Sequence, residues 1–525
     1  MKSWNKYSSS LADETFDAII IGSGIGGLCS AALLALHGKR VLVLEKHFKI
    51  GGWTHTFRRG KYEWDVGIHY IGEVHKKHSF ARRIFDCITD SQLQWSKMDD
   101  NYDRIIFPDR SYDFVAPRQR FKEDLIDYFP QEEAAIVTYM DLLYQVALAA
   151  RPYFTNKVMP RWLGNLTYPF MNRKFYKYSD RTTHDMITEL TNNEQLLGVL
   201  TGQWGDHGLP PRKSSFAMHA FVARHYLDGA NYPTGSSRSI AETVSDLIEA
   251  HGGKLVVKAG VEEIVVKNDR AVGVRMEGGE ELIAPIVISN AGVVNTFDRL
   301  LQEYPGRSSM HGYLDNVVPT ASHICLHLGF KKSARNLDFG TTNLWIYPGY
   351  DHDQNVAEAS KGPDAEFPVV YVSFPSAKDE AWDKDHEGYA TMEAITMAHW
   401  DWYTDWLGQP WKNRDEDYEA LKKKLTDRIL DIVFKHVPQA KEHLDHAELS
   451  TPLTVNDLAN YSLGEMYGIE HSPQRFRQRW LQPYTDVKGL FLTGQDVATV
   501  GLSSAVFSGL MTASAILKKN LFKSL

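Results

Sequence analysis

Gly22, Gly24 and Gly27 are spaced as G-x-G-x-x-G, and an acid, Glu45, follows them. Glycines at that spacing allow a tight turn, a close approach of backbone to a pyrophosphate and close helix–strand packing. The acid can accept hydrogen bonds from a ribose diol. The chemistry on offer is dinucleotide binding, and the plain alternative is a tight strand-to-helix turn with no ligand. A second pair, Gly51-Gly52, comes soon after, between Lys46 and Trp53-Thr54-His55. It suggests backbone passing close to the same ligand. Further on, Gly67 and Gly72 flank Ile68, His69 and Tyr70. That segment suits the lining of a cofactor face or, equally, a hairpin strand with a satisfied histidine.

The elements around these residues are legible. Ala18 to Ile21 is a short apolar run with β-branched residues, the pattern of a strand buried on both faces. Leu28 to Leu36 are helix formers stopped by Gly38, and Val41 to Leu44 form a second buried strand ending at Glu45. The helix N-terminus presents free N–H groups and partial positive charge to phosphates. A helix is predicted from Ile240 to His251, and strands at Leu255 to Val257, Val261 to Val266 and Arg270 to Glu277. Another buried strand runs through Ile286 to Ser289 into Asn290-Ala291-Gly292. Leu490 to Leu492 leads into Thr493-Gly494-Gln495-Asp496, and a small-residue helix carrying Ser503 could aim its N-terminus at a bound ring or phosphate. The stretch Ala223 to Ser237 reads as a loop. Asp417 to His436 reads as an amphipathic helix stopped by Pro438, and Trp400, Trp402, Trp406 and Trp411 as a packed corner.

With 525 residues the chain exceeds one core, and a net charge of −8 argues against nucleic-acid binding. Cys29, Cys87 and Cys325 have no paired spacing, so neither a disulfide framework nor a cysteine zinc site is expected. His75-x-x-His78 and His443-x-x-His446 lack a third ligand nearby, so no metal is expected. The N-terminus lacks the apolar core of a signal peptide, and no run of about 18 apolar residues suggests a spanning helix; a cytoplasmic location is expected. Residues 151–178 mix Arg and Lys with Tyr, Phe and Trp and contain no acid. That composition suits peripheral contact with a membrane surface, or a partly buried excursion.

Taken together, these motifs resemble the phytoene desaturase family of flavoproteins, in its carotenoid isomerase and retinol saturase branch. The matching stretches are Gly22-x-Gly24-x-x-Gly27, Glu45-Lys46, Gly51-Gly52, Asp65 to Gly72, Tyr232-Pro233-x-Gly235, Ser289 to Gly292, Gly464 to Gly468 and Leu492 to Asp496. The resemblance implies an α/β fold of amine-oxidase and phytoene-desaturase architecture. A discontinuous Rossmann-like FAD-binding domain would come from residues 13–80, 230–300 and 484–525, and an α+β substrate domain from 81–229 and 301–483. It implies bound FAD, with Gly22, Ser23, Gly24, Gly26 and Gly27 at the pyrophosphate and Glu45 at the adenosine ribose. Val261 would meet the adenine through its backbone, and Gly494 and Asp496 the phosphate and ribityl portion. Lys46, Gly51, Gly52, Trp53, Thr54, His55, Gly67, Ile68, Asn290, Ala291 and Ser503 complete the expected cofactor contacts. The implied reaction is FAD-dependent chemistry on carbon–carbon double bonds of an apolar polyene or lipid. Saturation comes first, with cis–trans isomerisation or desaturation as alternatives and a prenyl-GTPase escort module as the non-enzyme alternative. His69, Tyr70 and Tyr467 are the catalytic candidates. Only one complete nucleotide-binding unit is present, so a separate electron donor or acceptor is expected.

Overall fold

A computed structural model describes residues 2–306 and 310–523. Its organising layer is a six-stranded sheet in the order Asn5–Lys6, Lys254–Val257, Val41–Glu45, Ala18–Ile21, Val287–Ser289, Leu490–Leu492, with every pairing parallel. The strand Ala18–Ile21 is buried throughout. Ala18 and Ile20 enter one core and Ile19 and Ile21 the other, because successive side chains alternate across the sheet. Helix Ile25–Leu36 packs on one face against Leu502–Leu517 and Arg238–Ala250. Segments far apart in the chain thus meet at one set of strand ends, where α/β sheets bind ligands.

The second layer is a seven-stranded sheet in the order Leu444–Ser450, Ser322–Phe330, Ala390–Ala398, Val370–Ser373, Asn343–Ile346, Asn101–Ile106, Ser111–Val115. All its pairings are antiparallel except that of Asn343–Ile346 with Asn101–Ile106. Helix Glu416–His436 covers part of it through Leu425, Ile429 and Val433. The long helix Glu133–Val158 and Phe216–Tyr226 build an aromatic-rich core beside it.

Ala223 to Ser237 is not a loop. Helix Phe216–Tyr226 runs into it, and Ala230–Pro233 is a strand paired with Ile71–Gly72 and Trp95–Lys97. Glycines at 229 and 235, both with positive φ, bracket the strand and hide it from a pattern reading. Residues 151–178 are helical, in the end of Glu133–Val158 and in Arg161–Met171 and Arg173–Ser179. Tyr153, Lys157 and Phe175 are buried rather than facing solvent. Trp400, Trp402 and Trp406 pack partly buried against a core, as expected of a corner, whereas Trp411 is 39% exposed.

Candidate active site

A cavity of about 1200 Å³ runs from the ends of the parallel strands to the face of the antiparallel sheet. Ligand pockets commonly hold about 300–1,000 Å³, so this one has room for an extended cofactor and a second molecule. Its two ends are built differently.

At the first end the wall is backbone. Gly22, Ser23, Gly24 and Gly26 line it, together with Asn290, Ala291 and Gly494. At Gly26 a Cβ would stand 2.8 Å from Gly494 Cα and 2.9 Å from its nitrogen, so no side chain fits without moving main chain. Gly27 does not reach the cavity; a Cβ there would stand 2.6 Å from the Gly22 carbonyl oxygen, the close packing expected of the third glycine. Glu45 borders the cavity and accepts from the Ser23 N–H at 2.8 Å, the Ser23 hydroxyl at 2.5 Å and the His47 N–H at 2.8 Å. Asp496 accepts from the N–H groups of Val293 and Ile469 at 2.9 and 3.2 Å. The cradle of glycines, the helix N-terminus and the acid fit a dinucleotide.

Other expected cofactor residues also reach this cavity. Lys46, Gly51, Gly52, Trp53, Thr54 and His55 line it, as do Gly67, Ile68, Val261 and Asp496. Lys46 pairs with Glu277 at 2.9 Å. Trp53 stacks near Tyr461 with 6.3 Å between ring centroids, and Gly67 is small because Trp53 passes it. Ser503 is a correction: it lies in the first turn of Leu502–Leu517 but does not border the cavity, its helical position turning the hydroxyl into a buried site.

At the other end the wall is side chains. His323, Cys325 and His327 alternate along Ser322–Phe330 and so share one face. Glu393 on the neighbouring strand stands opposite His327 in register and is fully buried. Its two oxygens lie 3.1 Å from His69 Nδ1 and 3.3 Å from His327 Nδ1, as close approaches rather than aligned hydrogen bonds. Burial works against its charge, but contact with His327 and then His69 outweighs this and holds the carboxyl down at about 2. Glu393 is therefore a fixed anion between two imidazoles. Lys378 Nζ donates to the His69 carbonyl oxygen at 3.0 Å and to Ser373 Oγ at 2.7 Å, and burial lowers its amine to about 7. Tyr371, Trp345 and Val369 add apolar surface.

Of the catalytic candidates, His69 and Tyr467 border the cavity. Burial raises the Tyr467 phenol far above its ordinary value, which disfavours it as an ionising group. Tyr70 is a correction. It is 7% exposed, turned away from the cavity, stacked on Tyr226, and its hydroxyl meets Asp103 and Asp206. His69 therefore faces the cavity while Tyr70 faces the aromatic core behind it. Neither expected His-x-x-His pair gathers a third ligand among the described residues. The group whose atoms come within 4.8 Å of one another is Cys325, His327 and Glu393. Glu393, His327 and Asp206 escaped the sequence reading. Alternation of His323, Cys325 and His327 along an apolar strand was the one available signal.

The comparisons with known proteins agree with this architecture. An NAD(P)-binding Rossmann-like domain family matches residues 20–88. All-trans-retinol 13,14-reductase from Danio rerio is 34% identical over 98% of this chain and 88% of its own length. A second Danio rerio protein, inactive all-trans-retinol 13,14-reductase, is 30% identical over 98% and 88%. Prolycopene isomerase 2, chloroplastic, from an Oncidium hybrid cultivar is 26% identical over 96% and 84%. Among solved structures, an oxidoreductase from Methanosarcina mazei shares the fold with a TM-score of 0.65 at 14% identity, covering 96% of this chain and 100% of that one. Cyclohexylamine oxidase from Brevibacterium oxydans does so with a TM-score of 0.60 at 16% identity, covering 96% and 99%. The glycine cradle, the two-sheet architecture and the near-full-length identity converge: this chain belongs to the all-trans-retinol 13,14-reductase family of oxidoreductases.

Proposed function

We propose that the protein is an FAD-dependent oxidoreductase that saturates a carbon–carbon double bond of a long apolar polyene, retinoid-like or carotenoid-like. The observation that carries this reading is one continuous cavity with a backbone-lined dinucleotide end and a far end that sets His69 beside the apolar surface of Trp345, Val369 and Tyr371. The printed names of the relatives support the substrate class and the direction. Isomerisation is the second reading, favoured by the prolycopene isomerase relative; it uses the same wall.

FAD when bound supplies hydride chemistry; the protein supplies position, dryness and a proton. Gly22 to Gly26 would hold the pyrophosphate and Glu45 the ribose, and Trp53, Gly67 and Ile68 are the wall residues that would lie toward the ring. Saturation adds a hydride to one carbon and a proton to its neighbour. His69 delivers that proton, and Glu393 orients its ring and offsets the positive charge it carries beforehand. Among the described residues there is one dinucleotide cradle, so electrons arrive from a separate donor.

The substrate resides in membranes, and the outer face of Arg161–Met171 suits contact with one. Trp162, Leu166 and Phe170 recur one turn apart and are 71%, 66% and 82% exposed. Arg173, Lys174 and Lys177 follow on exposed positions and would meet anionic headgroups. No described helix is long and apolar enough to cross a membrane.

The test is to purify the protein and identify any released flavin, then offer the reduced holoprotein a polyene. A yellow protein that releases FAD and consumes the polyene is expected. A colourless protein that binds polyene without converting it would favour a binding module.

A further inference from the structure

Beside the cradle and the proton-handling residues, the cavity wall carries an imidazole that the proposed reaction does not use. His323 is 7% exposed and borders the cavity. It shares one face of its strand with Cys325 and His327, and lies about 13 Å along the strand from His327. Met397 stands opposite it in register. A thiol on one side and a thioether on the other are weak partners for an imidazole. Its Nδ1 is sealed from solvent and has no hydrogen-bond partner among the described residues. A buried polar atom left in that state costs free energy and calls for an explanation.

The surroundings of His323 fix what it can offer. Burial, and then the neighbouring His69 and His327, push its basicity down to about 4. The ring is therefore neutral near pH 7 and carries one N–H. That proton is assigned to Nε2, because a sealed N–H with no acceptor is the worse of the two orphans. One N–H donor is thus left for whatever fills this part of the cavity. Trp53, a wall residue placed toward the flavin ring, has its ring centroid 6.3 Å from that of His323. A polyene hydrocarbon has nothing that accepts a hydrogen bond. The isoalloxazine edge does, in its carbonyl oxygens and bare ring nitrogens. We propose that His323 is a flavin-contacting residue, donating from Nε2 to the isoalloxazine edge and so raising the cofactor's reduction potential. The sign follows from charge: reduction makes the ring more electron-rich, and a fixed donor stabilises that form. The donor thereby eases loading of the flavin by the separate electron donor. This rests on the FAD reading above and adds a residue that sets the cofactor's electronics.

The experiment measures the midpoint potential of purified holoprotein by equilibration with a reference dye. The parent is compared with His323→Phe, which keeps a planar ring and loses the N–H, and with His323→Gln, which keeps a donor. His323→Phe is expected to hold flavin as the parent does. Its ratio of reduced to oxidised flavin at a fixed dye potential should fall about tenfold, which is about 30 mV for a two-electron couple. His323→Gln should stay close to the parent. Should the Phe variant fail to fold, His323→Leu carries the same expectation. A flavin-loaded Phe or Leu variant at the parent's potential overturns the assignment, and weaker polyene binding in that variant would turn the imidazole toward the substrate instead. A Gln variant displaced as far as the Phe variant also overturns it. A parent that carries no flavin and takes none up overturns this inference and the FAD reading together, whereas a flavin-loaded parent with unmoved variants leaves the FAD reading standing.

Discussion

The two ends of the cavity solve opposite problems. The dinucleotide end is made of main chain: Gly22, Gly24 and Gly26 sit within a few residues of one another, and Gly494 closes over them. The far end is made of side chains: His69, Asp206, His327 and Tyr371 arrive from four separate stretches of chain, with Glu393 buried against two of them. A constant ligand such as a pyrophosphate can be held by backbone N–H groups, which need only a fixed turn and no bulk. A reacting or selective contact needs particular side-chain chemistry, and that requires a sheet to bring distant residues into register. The first end should therefore fail all at once when bulk is added. The second should fail one function at a time.

Gly26→Val breaks the comparison most severely. Its added carbons meet Gly494 main chain at 2.8 Å, so the purified protein should carry almost no flavin, as read by visible absorbance per chain. Full flavin content would show that the cradle is not the binding site. His69→Gln addresses the other end. Flavin should be retained while turnover falls by about a hundredfold, the usual size of lost acid catalysis. A variant turning over at the parent rate would remove His69 as the proton source. Glu45→Ala is expected to weaken flavin affinity by about tenfold, because the carboxylate ties Ser23 and His47 into the cradle and, in the proposed reading, would meet the ribose. Unaltered affinity in a flavin titration would refute that role. Smaller still, replacing Trp162, Leu166 and Phe170 by Ser should lower co-sedimentation with anionic vesicles several-fold and leave soluble turnover unchanged. Equal pelleting of parent and variant would exclude that surface. Exhaustive chelation, at the bottom of the scale, should leave the rate unaltered even though Cys325, His327 and Glu393 cluster.

How much of this was legible beforehand follows from the same contrast. The parallel sheet announces itself because Ala18 to Ile21 and Val41 to Leu44 are unbroken apolar runs next to glycine turns, a local signal. The strand Ala230–Pro233 was missed because its pairing partners, Ile71–Gly72 and Trp95–Lys97, lie more than a hundred residues away and its own residues look like turn formers. Glu393 was invisible for a related reason. A lone acid in Ala390–Ala398 gains meaning only when the register places it opposite His327 and beside His69. Tyr70 reads as a catalytic candidate beside His69 because the glycine-flanked Asp65-to-Gly72 segment matches a family stretch that passes the flavin. Its side chain instead turns into the core, where its hydroxyl meets Asp103 and Asp206. Lys157 reads as a surface cation, but its amine is buried and donates to the Leu481 carbonyl oxygen at 2.5 Å.

The central claim, hydride and proton addition across a polyene double bond, can be read from one anaerobic reaction. Holoprotein with its flavin reduced is mixed with a retinoid alcohol while flavin absorbance is recorded, and the product is then weighed by mass spectrometry. The account predicts that flavin reoxidises only when the alcohol is present and that the product gains two hydrogens. Flavin that stays reduced, with the alcohol recovered at its original mass, would contradict it.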